Sequence, residues 1–152
     1  MSNMILCPTR GGKDSYPNQD RAIAMAKERG AALLFLYVSN VEFLELTAAP
    51  KLIDIEHELD EMGEFMLAMA QERAEKMGVQ VSTLVRHGHF RHVLVEVIEE
   101  YEIGTVVLGS SAGGTGVVTA SYVKTLIDEI GGKTGVEFIV VDKGEIVSTY
   151  TP

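Results

Sequence analysis

Thr105-Val106-Val107-Leu108-Gly109-Ser110-Ser111-Ala112-Gly113-Gly114-Thr115-Gly116 is the stretch on which the fold turns. Its first four residues form a short run of β-branched and aliphatic side chains. Four glycines in the last eight positions then break the run. Strand followed directly by a glycine-rich turn is how a parallel strand hands over to its crossover helix, and the turn can gather backbone N–H groups toward one point. Downstream, Thr119 to Ile130 repeats apolar residues at helical spacing as Val123, Leu126, Ile127 and Ile130, with Thr119 or Ser121 as N-cap. A further apolar run, Val136 to Val141, completes a strand-helix-strand unit.

The same alternation continues upstream. Apolar runs at Met4 to Cys7, Ala32 to Val38 and Val79 to Val85 are separated by helical patterns over Pro17 to Gly30 and over Leu52 to Met77-Gly78. Phe90 to Tyr101 carries Val93, Leu94, Val97 and Ile98 on one side. Continuous rather than alternating hydrophobicity marks strands covered on both faces. The order β-α-β-α-β-α-β-α-β therefore predicts an α/β three-layer open sandwich around one five-stranded parallel sheet.

Length and charge narrow the classes. The 152 residues are one domain's worth, 1–152, with 143–152 set apart as a C-terminal tail. A net charge of −9 disfavours nucleic acid and anionic lipid as partners. The longest apolar run, Ala31 to Val38, is too short for a membrane helix, which needs about 20 residues. One cysteine, Cys7, and the lack of a basic, apolar start in Met1 to Arg10 point to a cytoplasmic protein. The acidic stretch Glu42 to Glu64 reads as a solvated helix face, and Met62, Met66, Met69 and Met77 read as core filler.

In open parallel sheets ligands bind beyond the carboxyl ends of the strands. The loop from Gly109 to Gly116 is the densest set of donors there, with hydroxyls on Ser110, Ser111 and Thr115 and a helix N-terminus behind it, which suits a phosphate. It lacks the lysine of a P-loop, and no G-x-G-x-x-G follows the first strand. His87, His89 and His92, with Arg86 and Arg91, leave three readings open: loop residues in surface pairs, a phosphate contact, or a metal site. Cys7 precedes a proline within a strand and is a packing residue, no G-x-S-x-G elbow is present, and paired magnesium-binding carboxylates near Gly109 are lacking. A binding module is expected rather than an enzyme.

Strand one as Ile5-Leu6-Cys7-Pro8-Thr9, strand three ending before Gly88, the run Thr105 to Ser111 and the last strand Phe138 to Val141 together resemble the universal stress protein family, over about Met4 to Asp142. The resemblance implies strand order 3-2-1-4-5, a stress-response regulatory protein, a homodimer, and ATP or AMP held by a G-x2-G-x9-G-[ST] motif after strand four; Val136 to Val141, expected at the sheet edge, is the last strand through which the homodimer would pair. No metal is implied. Carried onto this chain, the nucleotide-binding positions are Pro8, Thr9, Arg10, Val38, Ser39, Gly88, Gly109, Ser110, Gly113, Thr115 and Ser121. The motif departs here: Ala112 stands at its second glycine with Gly113 one place late, and Tyr122 at its third. In a loop two residues shorter, Ala120-Ser121 takes the final Gly-[ST] place. Arg10 stands where family members carry an adenine-contacting aspartate, which implies weak binding with little base selectivity. The alternatives are a member that binds no nucleotide and acts through its dimer surface, and a slow nucleotide hydrolase.

Overall fold

The computed structural model describes residues 3–10, 13–39, 49–109 and 120–151, and at 49–59 and 120–122 the backbone alone. In chain order these form β1 (Ile5–Pro8), a 3-10 turn (Lys13–Ser15), α1 (Tyr16–Arg29), β2 (Leu33–Ser39), α2 (Ala49–Lys76), β3 (Val81–His87), α3 (Phe90–Glu100), β4 (Thr105–Gly109), α4 (Ala120–Thr134), β5 (Glu137–Asp142) and β6 (Glu145–Tyr150). Every apolar run quoted above became a strand, displaced by no more than two residues at either end.

One sheet runs β3-β2-β1-β4-β5-β6. Its first five strands are mutually parallel, as Leu6↔Leu34, Phe35↔Thr83 and Val107↔Ile139 exemplify. Successive side chains of a strand point to opposite faces, and both faces here are covered. Leu34, Leu36, Leu6, Val106, Leu108, Phe138 and Val140 pack with α3 and α4. Leu33, Phe35, Ile5, Cys7, Val107, Ile139 and Val141 pack with α1 and α2. This two-sided burial is why the strands read as unbroken hydrophobic runs.

Two expectations are corrected. The sheet has six strands, and the sixth is antiparallel to β5. The segment set apart as a C-terminal tail thus contains a strand, Glu145–Tyr150. Lys143 at φ 52° and Gly144 at φ 85° make a two-residue turn with both central residues left-handed, the twist that suits a tight hairpin. Glu145–Tyr150 then folds back along its own β5. The homodimer expected through Val136–Val141 required β5 at the edge, and β6 stands there instead. Val147 is the extra residue of a bulge, because Val140 faces Ser148 while Val141 faces Ile146.

The second correction concerns α2. Its predicted inner face included Met62, Met66 and Met69, yet among its described side chains the buried positions are Gly63, Leu67, Ala70 and Ala74, one position along. Met62 and Met69 are 49% and 40% exposed, Phe65 between them is 67% exposed, and Met77 also faces solvent. Backbone proximity explains the choice. A Cβ at Gly63 would lie 2.6 Å from Cδ1 of Tyr37 on β2, so the helix approaches the sheet along its small residues and turns the methionines outward.

Candidate functional site

The order β3-β2-β1-β4-β5-β6 reverses direction between β1 and β4, and a crevice is expected where that reversal meets the carboxyl ends. At that point the β1–β4 ladder stops short. Ile5 and Thr9 donate their N–H groups to Ala32 and Leu36 on the β2 side, so the alternating N–H of residue 8 would point at β4. Residue 8 is proline and has no N–H to give. Accordingly the β1–β4 pairing covers only Ile5↔Thr105 and Leu6↔Val106. Beyond it the ladder is not continued, and extending its register places Thr9 level with Gly109.

The parallel register gathers the other residues. Ser39 lies opposite His87, and the Gly88 N–H donates to the Ser39 carbonyl at 3.0 Å. Pro8, Thr9, Val38, Ser39, Gly88 and Gly109 therefore share one end of the sheet, with Arg10 exposed next to Thr9. The Ser39 side chain is 4% exposed and its Oγ has no hydrogen-bond partner among the described residues. A buried hydroxyl without a partner costs about 1–3 kcal/mol, which makes Ser39 Oγ a candidate ligand contact at this end of the sheet. Ser110, Gly113 and Thr115 lie outside the described residues, and Ser121 falls in the first turn of α4, where only the backbone is described.

Thr9 is fixed from behind by a relay absent from the sequence reading. The Nε2 of Gln19 donates to Thr9 Oγ1 at 2.8 Å. Gln19 is 1% exposed, and its carbonyl oxygen accepts from Nη1 of Arg73 at 2.8 Å. The same guanidinium meets Asp20 Oδ1 at 2.7 Å and lies 4.3 Å from the Tyr16 ring centroid. Three elements, β1, α1 and α2, thus orient one hydroxyl at the crevice. On the other side, Asn18 accepts from the Gly144 N–H at 2.9 Å, and a Cβ on Gly109 would stand 2.9 Å from its Nδ2. The β5–β6 turn is tied in this way to the start of the glycine loop, and Arg21 Nε donates to the Gly144 carbonyl at 2.6 Å.

The histidine and arginine cluster resolves into surface pairs. Nε2 of His87 lies 3.0 Å from Asp60 Oδ2 on α2, and Arg91 pairs with Glu129 on α4 at 3.1 Å. Arg86 is held by the Tyr101 hydroxyl and by Glu100 at 3.0 Å, and both raise its pKa against burial. His89 and His92 meet edge to face at 5.8 Å. Among the described residues no three His, Cys, Asp or Glu converge on a point that could hold a metal. Cys7 is buried, and desolvation pushes its thiol up to about 12, so at neutral pH it is a packed thiol and not a nucleophile.

A groove of about 340 Å³ lies between α2 and β3, lined by Glu64, Leu67, Ala68, Gln71, Thr83, Leu84 and Val85. Glu64, Gln71 and Thr83 make its surface largely polar, but with a carboxylate and no cationic side chain among them it does not suit a phosphate. The crevice at β1 and β4 is the better candidate.

Comparison with known proteins supports the same architecture. Residues 1–128 match the Universal stress protein family. Universal stress protein YxiE of Bacillus subtilis (strain 168) is 28% identical over 118 residues, which span 72% of this chain and 80% of that protein. Universal stress protein UspA from Lactobacillus plantarum superposes with a TM-score of 0.73 at 17% identity, over 91% of this chain and 97% of its own. A universal stress protein family protein from Arabidopsis thaliana, solved with AMP bound, superposes with a TM-score of 0.59 at 14% identity, over 92% of this chain and 91% of that one. Among the described residues no helix is long and apolar enough to cross a membrane.

Proposed function

The chain belongs to the universal stress protein family, and from that membership we propose that it is a cytoplasmic regulatory binding protein that takes a nucleotide by its phosphates in the crevice between β1 and β4. The observation that carries the reading is the early end of the β1–β4 ladder, with Thr9 oriented by buried Gln19 and the Ser39 hydroxyl left without a partner among the described residues. The AMP bound by the Arabidopsis protein is consistent with it. Phosphates are assigned to the stretch from Gly109 through Ser110, Gly113 and Thr115 to Ser121, where glycines and hydroxyls are dense. The ligand is ATP or AMP, and no metal is part of the proposal. We read the protein as a binding module and not as an enzyme: its one thiol is buried and its sequence carries no G-x-S-x-G elbow.

Gly113→Val is expected to weaken ATP binding at least about tenfold, because a β-branched side chain resists the left-handed conformations of a phosphate-cradling turn and obstructs close backbone approach. Calorimetric titration of the two proteins checks this, with circular dichroism showing that both are folded. Equal affinity would remove the glycine loop from the site.

Self-association is assigned to the β6 edge, where Ile146 and Val147 are exposed and no described strand pairs on the outer side. Light scattering is expected to give a dimer mass at micromolar concentration and a monomer mass for the Ile146→Lys, Val147→Lys double variant. A monomer in the unmodified protein contradicts the assignment.

A further inference from the structure

We propose that the outer face of α2 is a docking surface for a cationic amphipathic helix, a role independent of whether the crevice holds a nucleotide. Met62, Phe65 and Met69 fall within about 60° of arc at 100° per residue, and all three are exposed. Large apolar side chains grouped on one exposed face mark interaction sites. Thioethers beside an aromatic ring suit an adaptable helix-binding surface.

The charges around the stripe choose the partner. Among the described residues, Glu61, Glu64, Glu72 and Glu75 stand exposed on the flank turned toward β3, and Lys76 beside them is already 3.2 Å from Glu72. On the flank turned toward α1, Arg73 is neutralised by Asp20. The stripe is therefore bordered by negative charge on one side and by a closed ion pair on the other. A second copy of this chain, with net charge −9, would bring the same acids against them. A helix with leucine-like residues along one face and lysines or arginines beside them fits both features, the apolar face on Met62, Phe65 and Met69 and the cations on the glutamates.

Fluorescence anisotropy with a labelled Leu/Lys peptide of helical period tests this on the full chain, with a Leu/Glu peptide of the same pattern as the control. The Leu/Lys peptide is expected to bind, more tightly at low salt, and the Leu/Glu peptide not to bind. Phe65→Ser with Met69→Ser is expected to weaken binding at least about tenfold, as removal of central apolar anchors does, with the melting temperature unchanged because both side chains lie outside the core. Absence of Leu/Lys binding overturns the proposal. So does equal affinity in the double variant, which would mean non-specific charge attraction, equal binding of the Leu/Glu peptide, or a dimer mass that falls to the monomer in the double variant, which would mean that a second copy covers the stripe.

Discussion

Gly63→Val is expected to lower the stability by about 2–3 kcal/mol, on the order of 5–10 °C in melting temperature for a chain of this size. Two effects compete at this position. Glycine in a helix interior is destabilising by about 1 kcal/mol relative to alanine, so propensity alone favours substitution. Against that, a Cβ would lie 2.6 Å from Cδ1 and 2.8 Å from Cε1 of Tyr37, a separation that forces either the ring or the helix to move. Overpacking of this kind costs more than propensity returns, and valine adds two methyl groups to the clash. Because α2 meets the sheet along Gly63, Leu67, Ala70 and Ala74, a displaced helix loosens the whole layer. Denaturant unfolding checks the magnitude. The loss should be partly relieved in a Tyr37→Leu background, since contacting residues couple. An undiminished loss there would place its cause elsewhere.

Arg73→Ala is expected to act on both stability and binding. Its fork reaches buried Gln19, Asp20 and the Tyr16 ring. The Asp20 bridge is largely exposed and contributes little. The Gln19 oxygen is the costly part: deprived of its donor in a buried position, it loses about 1–3 kcal/mol. The freed amide no longer fixes Thr9 Oγ1, so nucleotide affinity should fall by about three- to tenfold, as expected when one neutral hydrogen bond is loosened. Arg73→Lys should restore less than half of either loss, because an ammonium lacks the planar fork that spans Gln19 and Asp20. Urea unfolding and calorimetric titration of the three proteins separate the effects. Unchanged stability in Arg73→Ala would mean that Gln19 finds another donor.

The sheet was legible because both of its faces are covered, which leaves runs such as Ala32 to Val38 unbroken and easy to find. The inner face of α2 was misread because hydropathy favours methionine over glycine and alanine, whereas helix-to-sheet distance favours the smaller residues. The sixth strand has a visible signal in Lys143-Gly144, a two-residue loop between Val140-Val141-Asp142 and Glu145-Ile146-Val147. That Pro8, Thr9, Ser39, Gly88 and Gly109 share one end of the sheet is legible through position alone, because each stands at or just past a strand end. The relay behind them was not. Thr9, Gln19 and Arg73 are separated by 10 and 54 residues, and neither separation follows a local period.

Whether the crevice binds nucleotide by its phosphates is tested most directly by equilibrium titration of the purified protein with ATP, AMP, GTP and inorganic phosphate. Arg10 stands where related proteins are expected to carry an adenine-contacting aspartate, and it is exposed, so the phosphates rather than the base should carry the affinity. The expected result is weak binding of ATP, with GTP within about tenfold of it, roughly 1.4 kcal/mol, and measurable competition by phosphate. Binding of none of the four at millimolar concentration, or tight binding of adenine nucleotides alone, would contradict it.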